Sequence, residues 1–256
     1  CYISKLKNLG DIGIICNFIP FSKTIYLMPN LIVILGPTAS GKTKLACHLA
    51  KQIDGEIISA DSRQVYREMD IGTGKDLNEY TVLGEKIPYH LIDIKAPGYQ
   101  YNIAEFQHDF LDVFKVIRNR KKWPILCGGS GLYIETALRG NSYLGIPKNA
   151  ELRKTLETIS EARLNELYQD IDETIQSNLN GLTKARKFRA IEIDTYLKEN
   201  KNWTPRKMPN IEPLIIGMDI DREWRREKIS VRLRDRLDNG LIEEVENLLK
   251  EALTYT

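Results

Sequence analysis

The chain has 256 residues, of which 42% are hydrophobic and 28% are charged, a composition typical of a globular protein with a substantial core. Its net charge of +2 does not by itself indicate nucleic-acid binding, so such a function must rest on local basic clusters. The four cysteines (Cys1, Cys16, Cys47 and Cys127) argue against a disulfide framework or a zinc module and favour the reducing cytoplasm. No apolar run reaches the roughly 20 residues of a membrane helix, so we expect no membrane span.

The first 27 residues differ in pattern from the rest of the chain. Asp11, Asn17 and Pro20 interrupt their apolar stretches, and the layout of a signal peptide is not present. We interpret residues 1–27 as an N-terminal extension, non-native or disordered, that precedes a native start at Met28. A real tail or an extra strand is the alternative. At the other end the sequence stops just past an amphipathic segment, so we expect a core with an incomplete C-terminus.

Downstream of Met28, short apolar runs alternate with helix-like segments. The runs that predict buried strands are LIVIL (31–35), GEIISAD (55–61), IPYHLIDI (87–94) and WPILCGG (123–129). One helix is predicted from Lys42 to Gln52, and another begins after Asn102, whose side chain can cap it. Strands that alternate with helices predict an α/β sheet with right-handed crossovers.

The pattern changes between Asn141 and Asn210. This segment has helical periodicity, many charges and no strand-like run. It therefore predicts a helical insertion at residues 141–210, within a core formed by residues 28–140 and 211–256. The core resumes with a strand in EPLIIGMDI (212–220), which two helices follow.

The strongest motif is GPTASGKT, at residues 36–43, between the first strand and the first helix. It matches the phosphate loop G-x-x-x-x-G-K-[ST], in which backbone N–H groups and a helix N-terminus surround an anion. Lys42 would add a cation, and Thr43 a hydroxyl for Mg²⁺. The similar GTGKD at residues 72–76 has too short a spacing and is rejected.

Asp61 ends the second predicted strand, at the sheet edge where the phosphate loop also lies. Beside a bound diphosphate, its carboxylate could hold a metal or accept a proton. Capping of the following turn by the same side chain is the structural alternative. The strand WPILCGG lacks the aspartate of a Walker B motif, which argues against an ATP motor.

In this order, the segments GPTASGKT, ISADSRQVYREMDIGTGKD, YHLIDI, CGGSGLYIETALRG and RAIEI resemble the tRNA dimethylallyltransferases, from about Met28 to the last residue. The resemblance implies an α/β fold, a P-loop NTPase-like three-layer parallel sheet with a helical insertion that grips the anticodon stem. The implied reaction transfers a dimethylallyl group from dimethylallyl diphosphate to N6 of adenosine 37 of tRNA, next to the anticodon, with Mg²⁺ as cofactor. We expect a cytoplasmic monomer whose partners are tRNA and dimethylallyl diphosphate.

The resemblance also implies roles for individual residues. Those of the diphosphate cradle are Gly36, Pro37, Thr38, Ala39, Ser40, Gly41, Lys42 and Thr43, with Mg²⁺ at Thr43. Those of the catalytic step are Asp61 as general base, Thr38, Ser130 and Arg232. Those in contact with tRNA are Asp61, Ser62, Arg63, Gln64, Ser130, Arg153, Ala185, Arg186, Lys187, Phe188 and Arg189.

The chain also departs from the pattern of the family. Ser130 stands where many relatives have threonine, and Leu182-Thr183 stand where relatives often have Asn-Asp. The neighbours Arg234 and Arg236 leave the match of Arg232 open.

Other functions stay open on the residues alone. An adenylate isopentenyltransferase would share the fold and the donor but use free AMP, ADP or ATP as acceptor. The basic helical insertion favours RNA, because a free nucleotide needs no such clamp. A P-loop small-molecule kinase would use Asp61 to activate a hydroxyl, and a non-enzymatic RNA-binding protein would use the basic segment alone.

Overall fold

The structure of the protein is a computed structural model that describes residues 13–15, 28–140, 143–179, 183–204 and 207–250. The chain divides into two compact units. The sheet unit contains residues 1–140 and 209–256, and the helical unit contains residues 141–208. Apart from residues 13–15, the expected extension at residues 1–27 lies outside the described residues.

The strands of the sheet unit follow the predicted apolar runs, with short additions. They are β1 (Gly13–Ile15), β2 (Leu31–Leu35), β3 (Gly55–Ala60), β4 (Thr81–Val82), β5 (Glu85–Lys86), β6 (Tyr89–His90), β7 (Trp123–Gly128) and β8 (Pro213–Asp219). The main sheet has the order β1–β8–β2–β7–β3–β6, and β4 and β5 form a separate hairpin. Strands β8, β2, β7, β3 and β6 are parallel, which confirms that prediction, whereas β1 pairs antiparallel with β8.

The helices alternate with these strands or form the helical unit. They are α1 (Lys42–Ile53), α2 (Ile103–Asn119), α3 (Gly131–Arg139), α4 (Ala150–Thr158), α5 (Glu161–Gln169), α6 (Glu173–Leu179), α7 (Lys184–Glu199), α8 (Arg222–Asp238) and α9 (Leu241–Lys250). The side chain of Asn102 caps α2 as predicted, in a capping box with Glu105. In the described ranges, no helix has both the length and the apolarity that crossing a bilayer requires.

Helices pack on both faces of the parallel sheet. Ile57 and Ile125 lie in one buried cluster with Leu45 of α1. The alternate strand residues Ile58 and Leu126 are fully buried too and face the opposite side, where α2 contacts β3 and β7. The layers are therefore helix, sheet and helix, as expected of an α/β fold.

The predicted strand IPYHLIDI is a strand only at Tyr89–His90. The chain turns out of the sheet because Leu91 and Asp93 have φ values of 62° and 58°, in the left-handed region that breaks an extended strand. The N–H of Asp93 donates instead to the carbonyl of Gln64, at 3.1 Å. The segment after β6 thus packs against the turn after β3, which belongs to the site described below.

The helical unit has its own core. Buried side chains from α4, α5, α6 and α7 form it: Leu156, Leu164, Ile175, Phe188 and Ile191 are among them. Asn149, Ser160 and Thr183 cap α4, α5 and α7 through their side-chain oxygens.

Candidate active site

A cleft of about 1150 Å³ opens at the carboxyl edge of the parallel sheet. Its lining comes from the phosphate loop and the start of α1 (36–44), the turn after β3 (61–64), the loop within 72–80, the end of β7 (127–130) and one face of α8. Every residue predicted for the diphosphate cradle or for catalysis lines this cleft, Asp61, Ser130 and Arg232 included. Residues far apart in sequence therefore meet in one site.

In the described part of the chain, the start of α1 after the phosphate loop carries no capping side chain. Gly41 precedes α1 with a φ of 79°, in the left-handed region that glycine adopts without strain. No side chain caps α1 at this position. The first N–H groups of the helix are therefore available to an anion in the cleft, at its positive end. Lys42 reaches back over the loop, where its Nζ donates to the carbonyl of Pro37 at 2.7 Å.

Two polar groups of the loop suit an anionic ligand. The buried hydroxyl of Ser40 has no hydrogen-bond partner in the described residues, an arrangement that costs about 1–3 kcal/mol without a ligand or water. Burial lowers the pKa of Lys42 below its usual value, since it disfavours the ammonium form. An anion in the cleft would relieve that penalty. Burial also raises the pKa of the Cys127 thiol to about 12, so this thiol stays neutral.

The ends of three strands meet closely around Gly128. Gly128 is in register with Leu35 of β2 on one side and with Ala60 of β3 on the other. A Cβ atom at position 128 would lie 2.3 Å from the carbonyl oxygen of Ala60, so a side chain cannot fit there. The phosphate loop after β2 and Asp61 after β3 thus lie on the two sides of β7 and face one cleft.

Asp61 caps the turn that follows it, as the structural alternative proposed. Its Oδ1 accepts from the N–H of Arg63 at 2.8 Å and from the N–H of Gln64 at 3.4 Å. This turn fixes the carboxylate at the cleft edge. Both of these hydrogen bonds go to Oδ1, so Oδ2 is the oxygen suited to a ligand. The structural role and the predicted chemical role are therefore compatible.

One face of α8 adds cations to the cleft. Arg232 and Arg236 line it, with Lys228 and Trp224, whereas Arg234 is exposed elsewhere. The guanidinium of Arg232 binds the carboxylate of Asp76. Burial and the neighbouring Arg232 lower the pKa of Arg236. Among the three arginines that the sequence left open, two have the position to meet an anion on the phosphate loop.

The sequence interpretation missed several cleft residues, among them those in the loop at 72–80. Asp76 and Glu79 also line the cleft. Burial and the Asp76 carboxylate raise the pKa of Glu79, while Arg232 and Lys44 oppose the shift. Lys75, part of the rejected GTGKD motif, is only 1% exposed and pairs with Asp70 and Asp93. It therefore anchors this loop and does not bind phosphate.

The cleft suits a magnesium ion held mainly by substrate. The part of the chain that the structure describes contains no group of three or more acidic, histidine or cysteine side chains suited to a metal. Mg²⁺ commonly binds through one or two protein groups, waters and the phosphates of a substrate. Thr43, at the end of the phosphate loop, and Asp61, after β3, both line the cleft. These donors fit such an ion.

In the helical unit, Arg153 forms a bidentate ion pair with Glu192. Its Nε and one terminal nitrogen lie 2.6 and 2.9 Å from the two carboxylate oxygens. The Glu192 side chain is fully buried, and Arg153 is 31% exposed. Burial opposes the ionisation of Glu192, but hydrogen bonds from Arg153, the N–H of Asn149 and Arg189 outweigh it and lower its pKa. The pair therefore has a structural role, whatever else Arg153 contacts.

The basic segment at residues 184–189 divides into exposed and anchored side chains. Arg186 is exposed. Arg189 donates to the carbonyls of residues 143, 146 and 147. Phe188 is buried in the core of the helical unit, so it anchors α7 there. Of the residues predicted to contact tRNA in this segment, Arg186 has the most accessible charge.

Comparison with known proteins identifies the family. The IPP transferase family model matches residues 64–256, and the isopentenyl transferase model matches residues 29–89. The tRNA dimethylallyltransferase 2 of Phocaeicola vulgatus is 52% identical over 225 residues, which cover 88% of this chain and 73% of that protein. The chain belongs to the tRNA dimethylallyltransferase family.

Two solved structures have the same fold. A full-length tRNA isopentenylpyrophosphate transferase from Bacillus halodurans gives a TM-score of 0.60 at 30% identity, over 88% of this chain and 72% of that one. A eukaryotic dimethylallyltransferase acting on tRNA gives 0.71 at 25% identity, over 88% of this chain and 56% of that one. The predicted family, P-loop-like fold and transferase class are thereby confirmed. The roles of individual residues stay predictions.

Proposed function

We propose that this member of the tRNA dimethylallyltransferase family transfers a dimethylallyl group from dimethylallyl diphosphate to N6 of adenosine 37 of tRNA. The observation that carries the proposal is the single cleft that joins an uncapped phosphate loop to the carboxylate of Asp61 across Gly128. One side suits a diphosphate and the other suits a base that removes a proton.

The diphosphate of the donor binds to the phosphate loop and faces the cations of α8. The N–H groups at the start of α1, Lys42 and Arg232 surround the oxygen atoms that gain charge when the allylic C–O bond breaks. Fixed donors aimed at developing charge stabilise the transition state more than the ground state. Thr38 and Ser130 place hydroxyls in the same cleft, and the side chain of Ser130 does not cap α3.

Asp61 acts as the general base of the transfer. The amine nitrogen N6 forms a bond to the allylic carbon, the bond from that carbon to the diphosphate oxygen breaks, and diphosphate leaves with the electron pair. The proton lost from N6 passes to Oδ2 of Asp61, while Oδ1 stays bound to the turn at Arg63 and Gln64. Positioned bases of this kind contribute about 10²–10⁴-fold to rate.

Thr43 would hold Mg²⁺ together with the diphosphate oxygens and waters. When bound, the ion offsets the negative charge of the leaving diphosphate. The side chains of the cleft bind and orient the donor independently of that contribution.

We further propose that the helical unit contacts the tRNA. We expect the chain to act as a monomer in the cytoplasm. The exposed cation Arg186 supports this role, because basic side chains at a protein surface bind phosphates without reading sequence. Arg63 and Gln64, beside Asp61, are the proposed contacts near the reacting base. That base has to leave its stack to enter the cleft.

The test is mass spectrometry of unmodified tRNA incubated with the chain, dimethylallyl diphosphate and Mg²⁺. We expect addition of one five-carbon unit at adenosine 37. Asp61→Asn should lower turnover by about 10²–10⁴-fold with little change in binding of dimethylallyl diphosphate. The control is Asp238→Asn, which changes an exposed aspartate and should leave turnover equal to that of the unmodified chain. Equal turnover in Asp61→Asn would refute the base assignment.

Parallel reactions separate the other candidate functions. AMP, ADP and ATP replace tRNA as acceptor in one set, and ATP–Mg²⁺ replaces the prenyl donor in another. Prenylation of free nucleotides without tRNA modification would indicate an adenylate isopentenyltransferase. Thermal protection by ATP–Mg²⁺ but not by dimethylallyl diphosphate would indicate a kinase.

A further inference from the structure

The first turn of α9 sends a carboxylate into the loop that lines the cleft. Oε2 of Glu244 accepts from the N–H groups of Asp70 at 2.8 Å and Ile71 at 2.7 Å, and Oε1 accepts from the N–H of Gly72 at 2.9 Å. Three successive amides thus bind one carboxylate. Such a cluster of N–H groups favours an anion, and hydrogen bonds to an ionised acceptor are stronger than neutral ones.

The turn between α8 and α9 positions Glu244, which is distant in sequence from the amides that it binds. Gly240 has a φ of 97°, in the left-handed region that favours glycine, and it reverses the chain so that α9 begins at Leu241. Its carbonyl accepts from the N–H of Glu244 at 2.9 Å. The backbone of Glu244 is therefore fixed in the first turn of α9, which places its carboxylate near residues 70–72.

The loop that Glu244 holds contacts residues on both sides of the cleft: Gln64, beside the proposed base, and Arg232, proposed for the diphosphate. The carbonyl of Gly74 accepts from Nε2 of Gln64 at 3.1 Å, and the N–H of Gln64 is one of the two donors to Asp61. At the end of the loop, Asp76 binds Arg232, the cation proposed for the diphosphate. A shift of residues 70–74 would therefore disturb the turn that fixes Asp61 and the position of Arg232.

We propose that Glu244 is a positioning residue for the transfer reaction, which holds residues 70–72 so that Gln64 and Arg232 keep their places in the cleft. The proposal rests on the proposed function. Lys75 anchors the same loop separately, through Asp70 and Asp93. Loss of Glu244 should therefore loosen residues 70–72 without detaching the whole loop, which predicts an effect on turnover in a protein that stays folded.

The experiment compares Glu244→Ala and Glu244→Gln with Glu246→Ala, which removes an exposed carboxylate from the same helix. Hydrogen exchange measures the amides of residues 70–72, and steady-state kinetics measure transfer to tRNA. In Glu244→Ala we expect these amides to exchange about 10–100-fold faster, because charge-assisted hydrogen bonds are lost. We expect kcat to fall by about tenfold or more, while KM for dimethylallyl diphosphate changes by less than about threefold, because the phosphate loop keeps its own donors.

Glu244→Gln should lie between Glu244→Ala and the unmodified chain in amide exchange and in kcat, since its amide retains one acceptor oxygen. Glu246→Ala should match the unmodified chain in both measurements, and urea unfolding checks that each variant is folded. Unchanged amide exchange in Glu244→Ala would overturn the proposal, and so would faster exchange with unchanged kcat. If the unmodified chain transfers nothing to tRNA, the proposed function fails by itself, and amide exchange still decides whether Glu244 holds the loop.

Discussion

The pair of Arg153 and Glu192 lets the structural and RNA-binding roles of an arginine be separated. The resemblance to the family predicts that Arg153 contacts tRNA, whereas the structure shows it bound to a buried carboxylate. The perturbation is Arg153→Ala, alone and combined with Glu192→Gln. The first change leaves a buried anion with fewer donors, and the second removes its charge.

The contacts set the size of the effect. Breaking a buried ion pair costs about 3–5 kcal/mol. Here the cost is reduced because Arg153 is 31% exposed, so water can reach part of the site. Glu192 also keeps the N–H of Asn149 at 2.9 Å and a nitrogen of Arg189 at 3.4 Å. We therefore expect Arg153→Ala to lower the free energy of unfolding by about 2–3 kcal/mol.

Urea unfolding followed by circular dichroism measures this loss. The matched control is Arg163→Ala, which breaks the exposed i,i+3 pair with Glu166 and should cost less than about 0.5 kcal/mol. Arg153→Ala/Glu192→Gln should regain most of the stability, because no buried charge is left unpaired. Equal unfolding midpoints for Arg153→Ala and Arg163→Ala would refute the structural role of the pair.

The same variants then report on RNA. Binding of tRNA is measured at several salt concentrations with the stable double variant. If Arg153 also contacts a phosphate, the double variant makes one phosphate contact fewer. The magnitude of the slope of log K against log salt should then fall by roughly 0.7–0.9. A slope equal to that of the unmodified chain would assign Arg153 to the fold alone.

Two further predictions concern the helical unit. Arg186→Ala should reduce the salt slope of tRNA binding by roughly 0.7–0.9 with little effect on stability, and an unchanged slope would make Arg186 an ordinary solvated residue. The second follows from the lowered pKa of Glu192, because a carboxyl whose folded pKa lies below its unfolded value of about 4.3 stabilises the protein fully above that value. This contribution is lost as the pH falls through the folded pKa. Glu192→Gln should therefore flatten the decline of the urea midpoint below about pH 4.5, and parallel declines would contradict the argument.

Much of the sheet unit could be predicted because its signals are local. LIVIL and WPILCGG are buried strands since both of their faces are apolar, and the phosphate loop has a fixed spacing that needs only its flanking strand and helix. Asp61 could be placed at the correct edge because parallel strands end together.

What could not be predicted depends on partners that are distant in sequence. Nothing near Glu244 indicates that it binds amides 172–174 residues away. Lys75 lies in a polar segment that suggests exposure, yet two aspartates compensate its burial. Arg153 likewise shows no local sign of Glu192, and β6 is short because of left-handed residues after it. Periodicity reports which faces are apolar, but not which polar groups meet.

The uncapped start of α1 has a consequence for turnover. Several of the described helices carry a capping side chain, such as Asn102 on α2, whereas α1 follows the N-cap residue Gly41, which has no such group. Under the proposed function, the donor diphosphate accepts hydrogen bonds from the first N–H groups of α1 and so caps this helix while it is bound. Binding should then raise the unfolding free energy by about 2.7 kcal/mol at 100 times Kd. Each release of diphosphate takes a helix cap away, and each new donor molecule restores it.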